Sequence, residues 1–317
     1  MILDAETFEP VAAVDVLVRG AAALELPGTL KTELHASVVE LTTGVCGDAA
    51  EAIESLRALR DAAHRIAAEN GLAIAAAGAH PTARLDSLPV VNEERYLQMT
   101  QRVGRAALRQ GVNGLHVHVG VESRDTCWER LESVLPWLPV VLALSANSPL
   151  LDGEPSGMLS LRAGVLAELP RAGAPPVFAD YAAWEAWVEN LVALGVIEDH
   201  TRIWWDIRPN PRLGTLEIRI ADQPTSLERT AMIVELLQSL VAAAPSAVAD
   251  RGHYLQNRWA AARSGLDAEL VHPSGDRLAT ARELARELLG FEPPEPEAHL
   301  QLRSSSPAAD LVARTLA

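Results

Sequence analysis

Apolar residues follow two different periods along this chain, and the switch between them marks out the elements. Over residues 48–70 they recur at helical spacing, at Ala52, Ile53, Leu56, Leu59, Ala63 and Ile66. Asp48 with Glu51 three residues on reads as a capping box, and Gly71 stops the helix. The same spacing predicts helices over 92–109, 126–145, 182–194 and 226–244, with a shorter one from 257 to 263. Pro136 and Pro139 bend or divide the third helical stretch. Period-two runs rich in β-branched, aliphatic or tryptophan residues predict strands over 114–121, 202–208 and 214–221, the last two joined as a hairpin through Pro209–Leu213. Residues 72–78 read as a small-residue strand, and a loop around Glu33 leads into a strand at Val38. The stretch 152–176, rich in Gly and Pro, reads as a long loop. A linker-like stretch at 291–305 precedes a short C-terminal helix. Strands paired by hairpins among helices predict an α+β fold, an antiparallel or mixed sheet with helices packed on one side, and residues 1–317 are taken as a single domain.

Three of these strands carry chemistry at every second residue: His116 and His118, Asp206 and Arg208, Glu217 and Arg219. Residues i and i+2 of a strand share a face, so Val117, Ile207 and Ile218 turn the other way. If the strands share a sheet, one face gathers two imidazoles, two carboxylates and two guanidiniums. The plainer alternative is a solvated face with cross-strand ion pairs, Glu217–Arg208 or Asp206–Arg219. Glutamate at 217 suits Mg²⁺, a hard cation that takes carboxylate and phosphate oxygens, and Arg219 suits phosphate. His-x-His also occurs in barrel-fold zinc hydrolases, but there on the first strand; here it is mid-chain, which moves a zinc-dependent amidohydrolase down the order. Glu33 and Glu40, seven residues apart, reach one side only if the chain between them is not a regular strand.

The balance of 27 Lys+Arg against 42 Asp+Glu gives a formal charge of −15. That argues against non-specific binding to nucleic acid or to anionic membranes, while arginines focused in a cleft still permit an anionic substrate. No Gly-rich phosphate loop of either common type is present, so bound nucleotide phosphate must be held by side chains and metals. Cys46 and Cys127 show no metal-like pairing and read as reduced thiols. The opening residues lack a signal-peptide pattern and no apolar run reaches membrane-spanning length, so a cytoplasmic location is expected.

Taken together, ELHASVVELTTGVC (33–46), AGAHP (77–81), NEERY (92–96), GLHVHVG (114–120), ALSANSPLLDG (143–153), WWDIRPNPRLGTLEIRIADQPTSL (204–227) and NRWAAARSGLDAELV (257–271) resemble the glutamate–cysteine ligase type 2, or carboxylate–amine ligase, family. The resemblance implies a glutamine-synthetase-like fold: a curved, largely antiparallel sheet with helices on its convex face, holding ATP and Mg²⁺, or Mn²⁺, on its concave face. It implies ATP-dependent phosphorylation of a substrate carboxylate and capture of the acyl phosphate by an amine, glutamate and cysteine being the suggested pair. By position, Glu40, His116, Glu217 and Glu33 would be metal ligands. His118 would lie near metal or phosphate, Arg208 and Arg219 would contact phosphate or substrate carboxylate, and Arg162 would clamp either from the long loop. Asp206 would be a metal-side acid or the residue that orients Arg208. The family's opening glutamate strand is not found, Met1–Thr7 resembling its end and the following turn; either the true start lies upstream of Met1 or this is a shortened relative, and a non-catalytic relative that binds nucleotide or amino acid is the second reading. The expected partners are small amino acids and amines, and exposed apolar helix faces permit a homodimer.

Overall fold

A computed structural model describes residues 1–316. Its centre is a three-stranded antiparallel sheet in which Thr215–Ile218 runs between Ile207–Asn210 and Val117–Gly120. The register sets Arg208 opposite Glu217 and Glu217 opposite His118. On the other face, Ile207, Leu216, Ile218 and Val117 enter the main core with Trp137, Leu142 and Leu237. Helices Arg124–Val134 and Leu227–Ala243 pack against that apolar face. One side of the sheet is thus sealed by about 25 cal/mol per Å² of buried apolar surface, and the other is left to polar chemistry.

The expectation of one curved sheet is met only in part. The remaining strands form five two-stranded ribbons, four antiparallel and one parallel, the last joining Ala172–Gly173 to Trp204–Trp205. One ribbon pairs Gly28–Thr32 with Val39–Thr43 and sets Lys31 opposite Glu40, with Leu30 turned into a second core around Leu17, Leu59 and Ile74. Ala49–Glu69 packs on this ribbon. Its Asp48 cap accepts from the Glu51 N–H at 2.9 Å, while the Glu51 carboxylate reaches Gly47 rather than Asp48, so the box is skewed.

Local chemistry explains the other departures. The helix expected over 92–109 breaks at Gly104, whose φ of 69° suits a residue without a Cβ, into Glu94–Val103 and Arg105–Leu108. The prolines divide the 126–145 stretch into Arg124–Val134, a 3₁₀ turn and Leu138–Ser145. The 152–176 loop contains a helix, Leu161–Leu166, capped by Ser160. The stretch 291–305 is no bare linker: it holds the helix Ala298–Arg303, and Glu297 accepts from the Thr225 and Ser226 N–H groups at 2.7 and 3.2 Å. Among the described residues no helix is long and apolar enough to cross a membrane.

Candidate functional site

The polar face is built on Glu217. Arg208 grips its carboxylate with two parallel N–H···O bonds, Nε to Oε2 at 2.9 Å and Nη2 to Oε1 at 3.0 Å. Arg219 donates from Nη1 to the same Oε1 and lies 3.4 Å from His116 Nδ1. His118 Nε2 stands 4.0 Å from Glu217, and its Nδ1 meets the Thr215 hydroxyl at 3.0 Å. Five of the residues picked out by period two, His116, His118, Arg208, Glu217 and Arg219, therefore meet on one face.

Electrostatics follow from this packing. Burial alone would raise the Glu217 carboxyl, but Arg219 and Arg208 outweigh it and hold it far below the usual carboxylate range. His116 falls well below the ordinary imidazole value, through burial first and then the charges of Arg219 and Arg162. His118 falls too, again mainly by burial. Both residues are exposed to water. With neutral imidazoles, two guanidiniums and one carboxylate leave the face with a net positive charge inside an acidic protein. Arg219 Nε is buried without a partner, a donor still to be satisfied.

The N-terminal ribbon brings the acids. Glu33 accepts from the Leu34 N–H at 2.9 Å. Burial raises its carboxyl, Glu40 raises it further, and Arg219 and Arg95 pull it down, which sets it within electrostatic reach of the sheet face. Glu93, Arg95 and Tyr96 of the NEERY segment close on Thr32 beside it. Thr32 donates to Glu93 at 2.7 Å and accepts from Arg95 at 3.0 Å, while the Tyr96 hydroxyl donates to the Thr32 carbonyl at 2.9 Å. The segment therefore lies against the end of the Gly28–Thr32 strand.

Two expected site residues lie elsewhere. Asp206 does not share the face of Arg208, because a bend at Asp206 interrupts the strand between Trp205 and Ile207 and breaks the alternation. Its carboxylate is fully buried and accepts from Tyr254 at 2.7 Å and from Arg258 at 2.6 and 3.2 Å. Arg162 is buried, and its guanidinium donates to the Ile220 and Arg219 carbonyls at 3.0 and 2.9 Å. It braces the end of the Glu217 strand and is not free to clamp a ligand; burial pushes it down to about 10. Nor do Glu33, Glu40, His116 and Glu217 form a ready cage: among the described residues no three or more His, Cys, Asp or Glu are grouped to hold a metal ion.

Sequence reasoning missed the supports beneath this face. Buried Asp222 accepts from the Asn147 N–H at 2.9 Å and from the Ser148 and Ser160 hydroxyls at 2.7 and 2.8 Å. Asn147 in turn donates to Gln223 and Thr225. The SANSP and ADQPTS segments thus lock together, a role carried by small polar residues that look like ordinary loop. His80 of the AGAHP segment is a structural residue, bonding the Phe8 carbonyl at 2.9 Å through Nε2.

The site is thus an arginine-bracketed glutamate with two imidazoles on one face of the sheet of an α+β protein. The chain's family is the one its motifs suggested. Residues 1–303 match the family described as "Glutamate-cysteine ligase family 2(GCS2)", and the chain belongs to that family of C–N bond-forming enzymes. Two Rubrobacter xylanophilus proteins are similar to it. "Putative glutamate--cysteine ligase 2-3" is 40% identical over 84% of this chain and 74% of that protein, and "Putative glutamate--cysteine ligase 2-1" is 37% identical over 90% and 77%. In fold the chain is similar to a bifunctional glutathione synthetase from Pasteurella multocida, with a TM-score of 0.58 at 13% identity. That likeness covers 90% of this chain and 43% of the other, much longer one.

Proposed function

We propose that this protein is an ATP-dependent carboxylate–amine ligase that makes an amide, or γ-glutamyl, bond through an acyl phosphate, with glutamate as carboxylate and cysteine as amine. The reading takes the polar face as the concave side of a glutamine-synthetase-like sheet. The observation that carries it is the convergence of Arg208, Arg219, His116 and His118 around Glu217. In the first step a substrate carboxylate oxygen bonds to the terminal phosphorus of ATP, and the bond to ADP breaks. In the second the amine nitrogen bonds to the acyl carbon, phosphate leaves, and the amine loses a proton.

The residues suit charges that build on transferred oxygens. Arg219 neutralises the phosphoryl group, while Arg208, buried and bonded to Glu217 and to the Thr201 and Ile203 carbonyls, fixes the face around it; fixed guanidiniums act most strongly on a face shaped before the ligand arrives. Neutral His116 can accept a hydrogen bond from the amine, while burial and the neighbouring arginines make it a weak base. Mg²⁺, or Mn²⁺, fits through Glu33 and Glu40, whose mutual repulsion a divalent cation relieves and neither of which forms an ion pair among the described residues. Such a cation keeps waters and phosphate oxygens as its other ligands and needs only one or two carboxylates; it would supply charge neutralisation across the phosphates. Glu217 is less suited to ligate it, since both of its oxygens already accept from arginines.

The test is ADP release with Mg²⁺, ATP and a panel of amino acids, followed by mass spectrometry of the product. A new amide in the presence of glutamate and one amine is expected. ATP turnover that never depends on a carboxylate together with an amine would overturn the proposal.

A further inference from the structure

A pocket of about 230 Å³ lies at the segment leading into the Arg208 strand, lined by Arg102, Arg171, Arg202, Glu198, Trp204 and Met99 among others. Its charge is unlike that of the molecule as a whole. Arg102 and Arg202 both bond Glu198, at 2.6 and 2.9 Å. Arg171 forms no ion pair among the described residues, although its Nε donates to the Arg202 carbonyl at 3.2 Å. Three guanidiniums against one carboxylate leave a surplus of positive charge in a chain whose formal charge is −15. Arg171 also stands 5.8 Å over one face of the Trp204 ring, and both side chains line the pocket. Val103, Pro170, Val196 and buried Ile197 complete an apolar lining.

We infer that this pocket binds a small carboxylate with a flat or branched apolar body, its carboxylate on Arg171 and its body against Trp204. The volume falls below the roughly 300–1,000 Å³ typical of drug-sized ligands, which favours a compact acid over a whole nucleotide. A guanidinium held by one neutral acceptor retains donors for an incoming carboxylate, and charge-assisted bonds of that kind are the strong ones. The occupant would rest on the segment whose Thr201 and Ile203 carbonyls accept from Arg208. The pocket therefore adjoins the anchorage of the polar face without being part of it, and the inference does not depend on the ligase proposal.

Fluorine NMR titration of the full chain with para-trifluoromethylbenzoate tests it, with the neutral para-trifluoromethylbenzamide as control. Saturable binding of the benzoate is expected, at least tenfold tighter than the amide. Arg171→Gln should weaken the benzoate by about tenfold, the loss of one charge-assisted contact, and leave the amide unchanged. Trp204→Leu should weaken both probes, and circular dichroism should show both variants folded. Glu217→Gln, which alters the polar face alone, should leave probe affinity within about twofold. Equal binding of acid and amide, or benzoate affinity indifferent to Arg171→Gln in the folded variant, would overturn the inference.

Discussion

Replacing Glu217 by glutamine removes one charge from a group whose side chain is 3% exposed, between an Arg208 side chain at 7% and an Arg219 side chain at 13%. The amide keeps the shape but loses the bidentate pair at 2.9 and 3.0 Å and turns an NH₂ group towards a guanidinium. Breaking a buried pair from one side costs about 3–5 kcal/mol, because the remaining charge is stranded. Two features place this case at the lower end. Arg208 keeps its bonds to the Thr201 and Ile203 carbonyls, and Arg219 has some access to water. The expected loss is therefore about 3 kcal/mol at pH 7, read as a lower urea midpoint with an unchanged m-value. The sign with pH is fixed by the depressed carboxyl: its stabilisation is complete above the unfolded-state carboxyl value and is lost as pH falls towards the folded-state value. The gap between parent and variant should therefore narrow steadily below about pH 4.5. A cycle with Arg208→Met should return a coupling of about 1–3 kcal/mol, and Glu217→Gln should also abolish ADP release. A variant within about 0.5 kcal/mol of the parent, or a gap that does not change with acid, would refute the account of how this face is held.

Other outcomes follow from the same geometry. Proton NMR should show His116 and His118 titrating below the free-imidazole value, since burial and arginine charges lower both; a titration midpoint at or above that value for either ring would contradict this. Asp206→Asn should destabilise the protein by about 3 kcal/mol in urea, because it strands Arg258 in the core; a loss comparable to that of a surface change would show the pair to be idle. A methyl group at Gly114 would fall 2.1 Å from Arg162 Nη2, so Gly114→Ala should cost about 1–3 kcal/mol by displacing that guanidinium, again read in urea. Glu33→Gln with Glu40→Gln should weaken Mn²⁺ binding measured by electron paramagnetic resonance in the presence of ATP, and unchanged binding would remove these two acids from the cation's surroundings.

Much of the polar face was legible because it depends on alternation alone. Glu217 and His118 lie on regular strands, and Arg219 and His116, one residue beyond the strand ends, keep the same two-residue period. The same rule failed one step away at Asp206, where a bend turns the carboxylate into the core; the residues that receive it, Tyr254 and Arg258, are about fifty positions further along and carry no local signal. Arg162 misled for a related reason: a guanidinium in a Gly- and Pro-rich stretch looks mobile until its two carbonyl partners, just past the Glu217 strand, are known. The large sheet failed to appear as one body because strand pairing is long-range, whereas the helix ends and proline breaks were readable from caps and ring geometry. Family resemblance supplied what periodicity cannot, the association of distant motifs, while Asp222 and its serine and asparagine donors show that several of those motifs serve as scaffold.

The contacts of Glu297 and Gln301 have a bearing on biosynthesis. Glu297 accepts from the backbone at Thr225 and Ser226, Gln301 donates to Asn147, and the Thr315 hydroxyl accepts from the Ala76 N–H at 2.9 Å. All of these partners leave the ribosome well before the segment that completes them. During translation those polar groups must wait hydrated until residues 297–315 have followed them. A nascent polypeptide stalled before residue 297 should consequently be far more open to protease around Asn147 and Thr225 than the released protein.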